Sequence, residues 1–237
     1  YSLGLFVLML GSIVSYLLYA KHETAPLLDP RIFKFKTFSL SIAASFVTQA
    51  VNLTFNYAIP MALQIVLLKN AQVAGLTLLP GALGYALMAI VSGRLYDRFG
   101  AKLPIMIGLS LMLIGTLLMA TLPISVGHMT LSFMIVQLGA GFWFGNNMSH
   151  AVSHVAVTFQ SAGNSIFSAT NNYSAAVGIA LAAGVLAIFQ KDAAGSKSAL
   201  MTATQQGTSW MFRLDIVLIL IAAGLSLWAL RVVKKPD

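Results

Sequence analysis

Long uncharged runs alternate along this chain with short clusters of charge. The runs cover residues 2–20, 37–68, 70–93, 103–190 and 216–230. A helix that crosses the hydrocarbon core of a bilayer needs about 20 mostly apolar residues, so each run predicts at least one spanning helix. The fourth is far too long for one. Residues 122–130, with Pro123, Gly127 and His128, break it once, and the polar stretch 146–164 breaks it again. The pattern predicts about seven spans, at 2–20, 38–61, 72–93, 103–122, 130–148, 163–189 and 211–232. This is an all-α transmembrane chain, a polytopic helical bundle. The longest polar connections, 21–36 and 190–210, are too short for a soluble domain. Pro26 and Pro30 make the first of them a helix-breaking linker.

Composition narrows the function. The chain is 58% hydrophobic and 8% charged, against about 25% charged in an average soluble domain. Its net charge of +8 sits at the ends of apolar runs and not on a soluble basic face. That points to the anionic inner leaflet of a bilayer and away from nucleic acid. With no cysteine, disulfides, thiolate metal sites and cysteine nucleophiles are excluded. Tyr1 lies inside an apolar run with no initiator Met or basic region before it, so the chain is expected to be a piece of a longer protein whose N-terminal half precedes it.

Orientation follows from the excess of Lys and Arg on cytoplasmic loops. If the first span ends in the cytoplasm, that face receives Lys21, Arg31, Lys34, Lys36, Arg94, Arg98, Lys102, Arg231, Lys234 and Lys235. The opposite face receives Lys69, Lys191, Lys197 and Arg213. The C-terminus is therefore expected in the cytoplasm.

The densest charge cluster is Gly93-Arg94-Leu95-Tyr96-Asp97-Arg98-Phe99-Gly100-Ala101-Lys102. It reads as a tight loop holding two helices antiparallel. Its pattern Gly-x-Leu-x-Asp-Arg-x-Gly-x-Lys resembles the signature loop of major facilitator superfamily transporters, departing from it at Ala101, where a second basic residue is common. Three further landmarks occur in order: Pro26-Leu27-Leu28-Asp29-x-Arg31-x-Phe33 before Thr37-Phe38; Ile59-Pro60-x-x-Leu63-Gln64 before Ala74-Gly75-Leu76-x-Leu78-Leu79-Pro80; and Gly163-Asn164-Ser165 before 173–180. Together they make the chain similar to the C-terminal half of a fourteen-span drug:proton antiporter of the EmrB- and QacA-like kind.

The resemblance implies a linker transmembrane helix at 1–20, a cytoplasmic linker at 21–37, a six-helix transporter bundle at 38–232 and a cytoplasmic tail at 233–237. It implies a bacterial cytoplasmic-membrane protein that alternates between inward- and outward-open states, with substrate near the midplane between two bundles. Its partners would be the lipid bilayer, the N-terminal half and a small amphipathic substrate. No cofactor is expected beyond a proton gradient, and the main proton-carrying carboxylate is expected in the N-terminal half. A carrier of another metabolite is the alternative within transport. A membrane enzyme would need catalytic groups converging at one depth, and the scattered histidines and scarce intramembrane acids argue against it.

Several residues are candidates for function. Gly93, Asp97, Arg98, Gly100 and Lys102 form the expected conformational-switch loop. Asp97 there either latches to Arg98 or a helix end, or is a solvated anion, and both glycines suit a tight turn. Gln49, Asn52 and Asn56 recur at helical spacing and share one face. With Phe55, and with Trp143, Asn146 and Asn171, they either line a substrate path or bridge helices, since amides in hydrocarbon need partners. Asn147 and Asn172 admit the same two readings. His150 and His154 stand four apart, too few for a metal site, and are expected in a cytoplasmic loop. Gly141–Gly145 and the Ala175, Gly178, Ala182 face permit close helix packing. Arg213 and Asp215 are placed at the start of the last span, near its outer end, where snorkelling or mutual pairing is expected.

Overall fold

The breaks in the pattern become helix ends through side-chain caps and one left-handed glycine. Asn70 accepts from the backbone N–H of Val73, Ser125 from that of His128 and Ser196 from that of Ala199, each satisfying a donor the first turn leaves free. Gly100, at φ +75°, ends a helix in a conformation that side-chain-bearing residues rarely adopt. In the computed structural model, which describes Gly11 and residues 29–193 and 195–232, a 3-10 helix Pro30–Lys34 leads into six helices. They are α1 (Lys36–Ile65), α2 (Ala71–Phe99), α3 (Lys102–Thr121), α4 (Val126–Ser153), α5 (Val157–Gln190) and α6 (Lys197–Arg231). There are no strands among the described residues. The expected first span, the linker residues 21–28 and the tail 233–237 lie outside them.

All helices but α4 are long and apolar enough to cross a membrane. The run of α4 is interrupted by His128, Gln137, Asn146, Asn147 and His150. Most helices outlast their expected spans, because backbone hydrogen bonding continues where the hydrocarbon ends. Three expectations change as a result. The segment 93–102 is not a loop: α2 stays helical through Phe99, and the turn is Gly100-Ala101 alone. The polar stretch 146–164 breaks the chain only at residues 154–156. The connection expected at 190–210 shrinks to residues 191–196, since α6 begins at Lys197.

The helices pack as two interlocked triplets. A Cβ on Gly81 would meet Phe133, and one on Gly141 would meet Tyr85 O, so α2 and α4 run parallel. The rings of Phe38 and Phe167, and of Phe46 and Tyr173, meet in the same sense for α1 and α5. Antiparallel pairs close the bundle: α3 on α4, with Gly108 against Gly139, and α1 on α6, with Phe55 against Phe212. Exchanging α1–α3 with α4–α6 maps each of these pairs onto the other, which is the signature of an inverted three-helix repeat. The largest apolar core runs along the interior from Val51 and Phe55 through Met112, Phe133 and Val136 to Phe212 and Ile219.

Candidate functional site

The amides of α1 lead into the site. Asn52 is 8% exposed, and its Nδ2 donates to Gln137 Oε1 of α4 at 2.9 Å. One turn on, Asn56 Nδ2 donates to Asn52 O at 2.8 Å and Oδ1 at 3.1 Å. This short chain of amides borders an open cavity of about 220 Å³ lined by Gln49, Asn52, Tyr85, Gln137, Phe144 and Asn171. Four helices (α1, α2, α4 and α5) contribute, and no lining residue is charged. Asn171 also keeps a buried Oδ1 without a partner. Larger openings of about 440 and 570 Å³ lie elsewhere; one is lined by α6 alone and the other by its start and the end of α5, so both are surface grooves.

Of the expected path residues, Gln49, Asn52 and Asn171 line the cavity. Asn56 reaches it through Asn52. Phe55 does not: it is fully buried against Phe212 of α6, with ring centroids 5.9 Å apart. Trp143 does not either. It packs on α3, where a Cβ on Gly108 would stand 2.7 Å from its own Cβ, and its neighbour Phe144 turns to the cavity instead. Asn146 donates to Phe142 O within its own helix at 2.6 Å. Asn147 bridges helices, donating to Ser41 O at 2.9 Å and Ser45 Oγ at 3.0 Å. Asn172 is exposed. Tyr85, Gln137 and Phe144 are the lining residues not expected from sequence. Gln137 had a signal, as the one amide in the apolar stretch 129–145; Tyr85 and Phe144 had none.

The switch segment is solvent-facing. Asp97 is exposed and makes no ion pair among the described residues, while Arg98 lies over the ring of Phe99 at 5.2 Å. Gly100 occupies the left-handed turn. Gly93 sits inside α2 with open space where a Cβ would point, so only one of the two glycines is required by the backbone. The single described ion pair is elsewhere: Arg31 binds Asp29 at 2.7 Å, and this hydrogen bonding holds the Asp29 carboxyl below its ordinary range.

Two further expectations change. His150 is buried in the last turns of α4, not in a loop. His154 caps that helix, with the ring centroids 4.5 Å apart and His154 Nδ1 2.7 Å from His150 O. Arg213 and Asp215 do not begin the last helix but lie near its middle. Nor do they pair: Arg213 is exposed over Trp210 at 5.6 Å, and Asp215 is 1% exposed with Oδ2 unpartnered.

A bundle of apolar helices built as an inverted repeat, with a neutral polar cavity between four of them, fits the architecture of membrane carriers. The Major Facilitator Superfamily model matches residues 38–237, and the chain belongs to that family. It is an integral membrane protein of a transporter family, and not an enzyme. It is 27% identical over 172 residues to the uncharacterized MFS-type transporter YhcA of Bacillus subtilis, covering 72% of this chain and 32% of that protein. It is 24% identical to the lincomycin resistance protein LmrB of Listeria innocua, over 70% of this chain and 36% of the relative. The putative multidrug resistance protein MdtD of Escherichia fergusonii is 26% identical over 92% of this chain and 46% of its own length. The chain thus spans less than half the length of these curated relatives.

Proposed function

We propose that this chain is the C-terminal half of a proton-driven exporter of amphipathic compounds, in the EmrB- and QacA-like branch, and that the cavity between α1, α2, α4 and α5 is its wall of the substrate path. The observation that carries this is the lining itself: four amides and two aromatic rings, uncharged, at the depth of the bundle's interior. Amide groups give directional but neutral hydrogen bonding, and the faces of Tyr85 and Phe144 accept apolar groups and soft cations. At about 220 Å³ the cavity is smaller than the roughly 300–1,000 Å³ usual for a ligand site, which suits one wall of a site completed by another bundle. The names of LmrB and MdtD support drug export. The excess of Lys and Arg supports a cytoplasmic position for the end of the bundle bearing Lys36, Lys102 and Arg231.

Efflux of a panel of cationic and neutral dyes by Asn52→Ala in the full-length protein tests the reading. The expected result is a changed order of preference among dyes at normal membrane abundance. Uniform loss with poor folding would make Asn52 an interhelical bridge only, and no change would remove the cavity from the path.

A further inference from the structure

Among the described residues, the six helices bury one acidic side chain, Asp215, and the cavity does not use it. Asp215 is nineteenth of the 35 residues of α6, on a face that also carries Thr204, Thr208, Met211, Phe212, Ile219, Ala222 and Ser226, all buried. Two contacts fix its depth. Thr37 Oγ1 donates to Val232 O at 3.3 Å, and Phe55 meets Phe212. Counting along this antiparallel pair puts Asp215 opposite the 52–54 turn of α1, the turn that holds Asn52. Val51, on the core side of α1, and Asn52, on the cavity side, are about 100° apart around that helix. The two features therefore share a depth and sit on adjacent faces of one helix.

Among the described residues, the surroundings of Asp215 contain no counter-charge. The charged and titratable residues of α1 are Lys36 and Tyr57, that of α3 is Lys102 and that of α5 is Tyr173; the lysines stand at their helix ends. On α6 itself Lys197 and Arg231 are terminal, and Arg213 is turned outward over Trp210. His150 of α4 approaches α6 at Ala229, fourteen residues or about 21 Å from Asp215. A charge buried without a partner is costly, and a proton on Oδ2 removes it. Among the described residues, no three His, Cys, Asp or Glu side chains come together to hold a metal ion. The other unpartnered hydroxyls of this face, Thr208 and Ser226, are seven and eleven residues away, about 10 and 16 Å along the helix.

We infer that Asp215 is a proton-binding site of this half, seated behind α1, and that its proton couples the packing of α6 on α1 to the shape of the amide wall. With the two helices packed as here, the carboxyl is a neutral acid. When α6 parts from α1, water reaches it past Thr204 and Thr208, the polar side chains of this face toward the Lys197 end. The O–H bond then breaks, the proton passes to that water, and the carboxylate remains hydrated until it takes a proton back. The inference rests on the proposed exporter reading for its coupling, but not for the proton site itself.

The test uses the full-length transporter and its Asp215→Asn and Asp215→Glu variants, purified and reconstituted. Infrared difference spectra are recorded across pH, together with dye accumulation driven by a pH gradient and dye counterflow without one. Asp215→Asn is expected to lack a carboxylic-acid carbonyl band of the wild type and to lose gradient-driven accumulation while keeping counterflow; Asp215→Glu restores both. An unchanged acid band, undiminished accumulation by Asp215→Asn, or loss of counterflow along with accumulation would each overturn the inference. So would a sodium gradient as the driving force in place of the pH gradient, with no acid band that Asp215→Asn removes. A wild type that moves no dye on a pH gradient, yet shows an acid band that Asp215→Asn removes, would defeat the exporter reading and leave the proton site standing.

Discussion

At the scale of single residues, rotation about a helix decides function, and one position is enough to change it. Trp143 and Phe144 are sequence neighbours, so they point about 100° apart. Gly139 lies one turn before Trp143, and its backbone meets Gly108 of α3; that contact sends Trp143 into the α3 interface and Phe144 to the cavity. The sequence shows the aromatics but not the rotation, which is set by a contact between residues thirty-one positions apart. Asn52 and Gln49 were legible because amides in an uncharged run are conspicuous, whereas Phe55, three residues on, is turned far enough to meet α6. The Asn52–Gln137 bond predicts coupled effects. Such interhelical bonds average about 0.6 kcal/mol, so Asn52→Ala and Gln137→Ala are each expected to lower thermal stability only slightly. The double variant should alter the dye profile no more than either single one, as measured by efflux in a double-mutant cycle. Fully additive changes would show that the two amides act separately. For Asp97, exposed and unpaired within the described residues, Asp97→Asn is expected to impair transport more than abundance. Unchanged efflux at equal abundance would mark it as a solvated charge.

At the scale of elements, helix positions were legible and helix lengths were not. Hydropathy reports where hydrocarbon ends, but a helix ends where its last carbonyls find another partner or its backbone turns. That is why Asp215, expected near the start of the last span, belongs to the middle of a 35-residue helix. Helix contacts were partly legible through small residues, and they sort the glycines. A Cβ on Gly108 would stand 2.7 Å from Gly139 O, and one on Gly139 would stand 2.5 Å from Gly108 O, while a Cβ on Gly93 meets nothing within 4 Å. Gly108→Val and Gly139→Val are therefore expected to force α3 from α4 and cost about 1–3 kcal/mol, the usual penalty of overpacking. Gly93→Ala should leave stability unchanged. Thermal unfolding of the detergent-purified protein separates the three. A Gly93→Ala variant as unstable as Gly139→Val would mean that Gly93 meets a surface outside this chain.

At the scale of the whole molecule, composition and run length were enough for the membrane and the all-helical class, and the charge cluster at the α2–α3 junction for the family. The internal repeat was not legible, because the parallel pairs α2–α4 and α1–α5 join helices distant in sequence and carry no shared motif. The assembled fold carries the same orientation argument. With six helices running alternately, one end of the bundle gathers Arg31, Lys34, Lys36, Arg94, Arg98, Lys102 and Arg231, and the other Lys69, Lys191 and Lys197. Arg213, which the sequence groups with the outer cations, lies near the middle of α6 and belongs to neither end, and the excess at the first end remains. Since short loops rich in Lys and Arg stay on the cytoplasmic side, Phe99 and Ser198, both exposed at opposite ends, should report opposite compartments. In a background without other cysteines, Phe99→Cys is expected to react with a membrane-impermeant maleimide only after the inner face is opened, and Ser198→Cys in intact cells. Labelling of Ser198→Cys only from the inside would invert the bundle. It would also send the Thr204 and Thr208 side of α6 to the cytoplasm, and with it the compartment from which Asp215 is hydrated.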